Sequence, residues 1–264
     1  MNERKYGFTG ETKKAPDGTT LHRIRAVRDF ADVHYGELGG WVGDEDNLGH
    51  AGDAWVSDEA TVFGHALVTG NGRVSGEAQV YGNAHVFDNA EVTGEAVVWE
   101  LARVRGNARV SGYARISGAA HVSDEAQVRG DAWVFDDARI LCGATVHGNA
   151  RVSGEAQVYG NAEVYGYTRI CDIATVSGSA KVYGEAQVRD NAGVFGDAEV
   201  FGNAKILGTA RVSGSAKVYG TAEVAGEARI GGNADISLGL HREASAGPHE
   251  SPEAPTVKPK GPRL

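Results

Sequence analysis

From Ala54 to Ile236 apolar and polar positions alternate on a beat of six that never slips. Every sixth residue from Val56 to Ile236 is Val or Ile, at all 31 positions. The residue two before each is Ala in 29 of the 31, with Gly72 and Thr168 the departures. The residue two after, from 58 to 232, is Gly in 22 of 30 phrases and Asp in 6, with Glu100 and Cys142 the others. Residues two apart point to the same side of an extended segment, so each Ala and its Val or Ile face one way and the residue between them faces the other. Gly reaches positive φ without cost and Asp tolerates it better than most residues, so that position turns the chain. An Ala-rich helix does not fit, because the apolar spacing is two then four and turn residues recur in every phrase. The pattern therefore predicts short strands joined by sharp corners: an all-β solenoid whose units bury a face only by stacking on one another.

Phrases in which an aliphatic residue is followed four positions later by a small one, such as Val74 with Ala78 and Val152 with Ala156, resemble the hexapeptide-repeat left-handed β-helix proteins. The resemblance implies a single-stranded, left-handed parallel β-helix in which three hexads make one triangular coil of 18 residues. The array then holds about ten coils, a prism roughly 50 Å long at ~4.8 Å per strand spacing. In this chain the turn residue stands two after the aliphatic one, whereas many enzymes of that family carry it directly after.

Residues 1–53 do not follow the beat. KYGFTGETKK and TTLHRIRAVRDF are strand-like around the turn signal APDG, which predicts a β-hairpin. This segment is expected to cap the first coil, whose open strand edges would otherwise pair with other chains. KYGFTGET from Lys5, LHRIRAVRDF from Leu21 and GELGGWV from Gly36 are similar to the N-terminal signature of a group of phage and prophage proteins built on the same repeat. That resemblance implies a phage or mobile-element origin and brings no reaction with it. Residues 238–264 hold five of the six prolines and show no period, which reads as a disordered tail. The expected division is a cap over 1–53, the β-helix over 54–237 and the tail over 238–264.

Charge and composition narrow the partners. The chain of 264 residues has a net charge of −9, no apolar run of membrane-spanning length and no apolar stretch in MNERKYGFTG. A cytoplasmic protein without a membrane partner is the expectation. Cys142 and Cys171 fall at non-equivalent positions more than one coil apart, so no disulfide is expected.

Folded on the 18-residue period, equivalent positions line up in columns about one strand spacing apart. One column after the aliphatic residue reads Tyr165, Tyr183, Phe201, Tyr219, and beside it run Glu163, Lys181, Glu199, Lys217. Phe63, Tyr81 and Trp99 stand in the same relation nearer the start. Such rows either stack on themselves or present a flat surface for binding or lateral self-association. Tyr165, Tyr183, Phe201 and Tyr219 with Lys181 and Lys217 are the candidate interaction surface. Two further columns are basic: Arg115, Arg151, Arg169, Lys205, and Arg103, Arg139, Arg211, Arg229. Arginines at strand spacing suit an anion or nucleic acid. The flanking turns, however, carry Glu125, Asp136, Asp137 and Glu155, so local pairing is expected and nucleic acid is not an expected partner.

The family resemblance also brings two enzymatic readings. Its acyltransferases set a His against a coenzyme A groove, with a loop extruded onto a neighbouring subunit of a trimer. Its γ-class carbonic anhydrases hold zinc with three His. Here His65, His85, His121 and His147 lie 20, 36 and 26 residues apart inside an array with no extruded loop. His85 and His121 share a column two coils apart, about 10 Å, too far for one metal with ligands at about 2 Å. No catalytic residue, metal or cofactor is assigned. The sequence favours a non-catalytic binding or scaffold protein, phage-encoded, whose partner is a host or phage protein or another copy of itself in an end-to-end dimer or a trimer. The competing reading is a hexapeptide-type acyltransferase, or a γ-carbonic-anhydrase-like enzyme, active as a trimer.

Overall fold

A computed structural model describes residues 4–242. Every phrase from Trp55–Val56 to Asp235–Ile236 forms a two-residue strand. Each strand pairs in parallel with the strand three phrases on, as Glu91–Val92 does with Arg109–Val110 and Arg151–Val152 with Arg169–Ile170. Residues 18 apart are therefore neighbours. Three sheets of 14, 11 and 10 strands form the sides of a solenoid of about 11 coils. The architecture is the all-β parallel coil that the hexad beat predicts.

The bore is filled by the two inward positions. Every Val or Ile of the array from Val56 to Val224 is fully buried, and so are the Ala residues that precede them. Burying a Val side chain contributes roughly 1.5–3 kcal/mol, and a tube this narrow admits only side chains of that size next to Ala. The residues between them face out, and their amides tie the coils together, as the Gln79 amide does in donating to the Ala96 carbonyl at 2.9 Å.

Each corner is turned by one residue in the left-handed region. The glycines of that column lie at φ +61° to +78°, and the six Asp, Glu100 and Cys142 at +55° to +63°. A Cβ at Gly118 would also come within 2.6 Å of the backbone of Asp136 in the next coil, so that corner needs glycine for space as well as for φ. The corner acids recover their strain through a bond that glycine cannot make. Asp58, Asp88, Asp124, Asp136, Asp172 and Asp190 each accept, through a carboxylate oxygen, the backbone amide of the corner residue one coil on, at 2.7 to 3.2 Å, and Glu100 does the same to Gly118. A neighbouring corner position carries a second ladder, in which the Asn71 amide donates to Asn89 and the Asn89 amide to Asn107.

The N-terminal segment is more than a hairpin. β1 (Tyr6–Lys14) and β2 (Thr20–Ala26) pair antiparallel around the expected turn, and β3 (Leu38–Val42) pairs antiparallel with β2. β3 then pairs in parallel with Thr61–Val62, so the cap continues the first sheet. Val42 and Leu48, six residues apart, already occupy the bore. The coil step there is 20 residues, Val42 to Val62, which hides these two hexads from a search on a strict beat. Tyr6, Ile24, Phe30, Val33 and Trp55 plug the end of the bore, with Phe30 edge-on to Trp55 at 5.4 Å. Gly39 and Gly40 let β3 lie flat on this plug, since a Cβ would meet Ile24 at 2.5 Å and the Ala60 carbonyl at 2.7 Å.

At the far end Leu240–His241 adds one more strand, on Glu223–Val224, after a shortened step of 17 residues. The expected tail lies, from residue 243 onward, outside the described residues. Among the described residues the only helical element is the short turn Glu45–Asn47, and no helix is long and apolar enough to cross a membrane.

Candidate binding surfaces

The predicted aromatic column lies on the face of the 11-stranded sheet, where each ring follows a buried Val. Tyr165, Tyr183, Phe201 and Tyr219 stack face to face with centroids 4.8 to 5.0 Å apart and planes within 4° of parallel. A fifth ring, absent from the predicted column, extends it. His147 continues the stack onto Tyr165 at 4.9 Å, and the 18-residue fold of the sequence already placed it there. The spacing equals the coil pitch, so the backbone itself sets the rings in register. Their faces are covered by one another, and each ring is half-buried.

The charged ladder beside it is engaged with the rings. Tyr183 donates its hydroxyl to Glu199 at 3.1 Å, and His147 Nε2 lies 3.2 Å from Glu163. Lys217 pairs with Glu199 at 3.3 Å and Lys181 with Glu163 at 3.9 Å. Burial, followed by the Glu199 hydrogen bond, pushes the Tyr183 phenol up to about 12. Phe63, Tyr81 and Trp99 also stack, less evenly, at 5.1 and 6.2 Å on the 14-stranded sheet.

A second surface runs further along that same sheet. Arg115, Trp133, Arg151 and Arg169 occupy one outward column on successive strands. With the corner residues Tyr113, Asp131, Asn149 and Tyr167 they line an open groove of about 340 Å³. Trp133 is held by a 3.4 Å hydrogen bond from its indole to Ser117, packs against Phe135 at 4.5 Å, and has the Arg151 guanidinium 5.9 Å from its ring. Tyr113 and Tyr167 are 55% and 67% exposed.

Here the expectation of local pairing fails. Among the described residues none of Arg115, Arg151, Arg169 and Lys205, nor Arg103, Arg139 and Arg211 of the next column, forms an ion pair. Corner geometry accounts for one of the four flanking acids, Asp136; Glu125, Asp137 and Glu155 stand one residue past a corner. An acid in the left-handed position, such as Asp136, sends its carboxylate along the axis to a backbone amide and not sideways to an arginine. Trp133, standing between two of the arginines, was legible in the same column but escaped a reading that looked only for charge.

Where the cap meets the first coil, a carboxylate is held well below its ordinary range. Glu59 accepts from Arg23 at 2.6 Å, from Lys13 at 3.1 Å and from the Trp41 indole at 3.0 Å. The Arg23 hydrogen bond first, then those from Lys13 and Trp41, hold it down at about 2. Lys5 is fully buried, donates to the Gly52 carbonyl at 3.2 Å and lies over the Phe30 ring, and burial lowers its amine to about 8.

The histidines stay apart. Arg103 stands between His85 and His121 in their column, and burial, then Arg103 and Arg139, lowers the His121 pKa. Among the described residues no three His, Cys, Asp or Glu side chains gather as a metal site.

Residues 156–172, just under one coil, match the family model described as the YdcK beta solenoid repeat. No curated protein matches the chain. The repeat match and the coil geometry agree that this is a β-solenoid repeat protein.

Proposed function

We propose that the protein is a non-catalytic binding scaffold, a rigid rod that presents flat faces to a protein partner. The contact surface is the column Tyr165, Tyr183, Phe201 and Tyr219 with Lys181 and Lys217. One observation carries this reading: the rings are aligned to within a few degrees by the coil pitch, so they and the alternating charges beside them form a strip that loses little freedom on docking. Aromatic residues are also enriched where proteins meet. The N-terminal resemblance supports a phage-encoded origin and action inside a bacterial host, with a host or phage protein as the partner.

The test is affinity capture from infected host cells with the full chain as bait. Lys181→Glu with Lys217→Glu turns the alternating column uniformly acidic and leaves the rings in place; Tyr183→Ser with Phe201→Ser removes the centre of the stack. Both variants, checked for an unchanged circular dichroism spectrum, are expected to lose the protein that the native chain captures. Capture that survives both substitutions overturns the assignment of this surface.

A further inference from the structure

The face bearing Arg115, Trp133, Arg151 and Arg169 is separate from the ring stack and poses a different physical problem. Arg151 and Arg169 are directly opposite one another on adjacent strands, with no carboxylate paired to either among the described residues. Like charges in that relation destabilise a sheet. Only one acid, Asp131, lines the groove with three arginines, in a chain whose net charge is −9. Concentrating unpaired cations against the overall charge marks a place where an anion supplies the missing partner.

We propose that this groove binds single-stranded nucleic acid, with phosphates on Arg115, Arg151 and Arg169 and bases against Tyr113, Trp133 and Tyr167. Three features favour that ligand. The groove is linear and continues past Arg169 into a second hollow lined by Glu185 and Gln187, which suits a polymer lying along the axis. Phosphates follow one another along a strand at a spacing of the same order as the coil pitch of ~4.8 Å, so the adjacent pair Arg151 and Arg169 can meet neighbouring phosphates. Tyr113 and Tyr167 are exposed, unlike the rings of the stacked column, with Trp133 half-buried between them, and a base stacked on such a ring is worth about 1–3 kcal/mol whatever its identity.

Fluorescence anisotropy of a labelled oligothymidylate with the full-length protein tests this. Three phosphate contacts on a single strand give a slope of about −2 in log affinity against log salt, so binding is expected to weaken roughly twentyfold between about 50 and 200 mM salt. Arg151→Gln with Arg169→Gln should cut affinity at least tenfold and reduce the slope to about −0.7, the value for one remaining contact. Tyr113→Ser with Tyr167→Ser should weaken binding about thirtyfold or more with the slope unchanged. No binding at low salt, or binding indifferent to the arginine pair, overturns the proposal. So does inorganic polyphosphate competing as well as the oligonucleotide while the tyrosine variant binds normally, which would mark a general polyanion surface. Tyr183→Ser with Phe201→Ser lies on the other face and should leave the anisotropy curve unchanged, so failure here and failure of the scaffold reading are told apart.

Discussion

At the scale of single residues, the corner position decides how the coil closes. Its identity as Gly or Asp is plain in the sequence, and so is its role as a turn. The destination of the Asp carboxylate is not, because the bonded amide lies 18 residues away and becomes a neighbour only once the coil pitch is fixed. Asp190 shows the arrangement twice, accepting from the Gly208 amide at 2.7 Å and donating its own amide to Asp172 at 2.9 Å. Asp190→Ala is expected to lower stability by about 2 kcal/mol, from the left-handed strain on alanine and one lost hydrogen bond. Asp190→Gly keeps the conformation and should cost about 1 kcal/mol. Urea midpoints of the two variants make the comparison, and an alanine variant as stable as the glycine one would show that the corner is not strained. The same axial direction takes the Asp136 carboxylate out of reach of the arginines that the sequence sets beside it.

Elements differ in how far the sequence discloses them. The ring column was readable from the 18-residue fold, since a regular strand puts equivalent side chains in contact. Whether the rings stack or stand free depends on side-chain rotamers, and the structure shows stacking in which the rings cover one another's faces. The hairpin of the cap was legible from its turn chemistry, while β3 was not. Its entry into the parallel sheet depends on a 20-residue step that breaks the beat, and Gly39 and Gly40 show their purpose only against Ile24 and Ala60. The bonds around Glu59 tie β1 (through Lys13), β2 (through Arg23) and β3 (through Trp41) to the first full coil. Because the folded carboxyl sits near 2, below its ordinary 4.5, its stabilisation is complete above about pH 4.5 and disappears as pH falls from there towards 2. The indole N–H resonance of Trp41 should shift within that window in the native chain, and Glu59→Gln should abolish the shift. A resonance that moves only above pH 4.5, or moves equally in the variant, would contradict the role given to Glu59.

For the whole molecule, the surfaces require that residues 18 apart stand in one straight row on a rigid rod. Both candidate surfaces are rows of this kind, and neither exists if the coil period wanders. The unbroken six-residue beat made that period legible from the start, because no insertion between Val56 and Ile236 has to be explained away. The direct measurement is pulsed electron spin resonance on spin-label pairs at outward positions of the 10-stranded sheet, with the native thiols removed as Cys142→Gly and Cys171→Ser. Labels joining Arg103 to Thr175, Arg211 or Arg229 span four, six and seven coils. Narrow distance distributions centred near 19, 29 and 34 Å, growing by about 4.8 Å for each coil, are the predicted result. Broad distributions, or distances that do not rise in proportion to the number of coils, would contradict it.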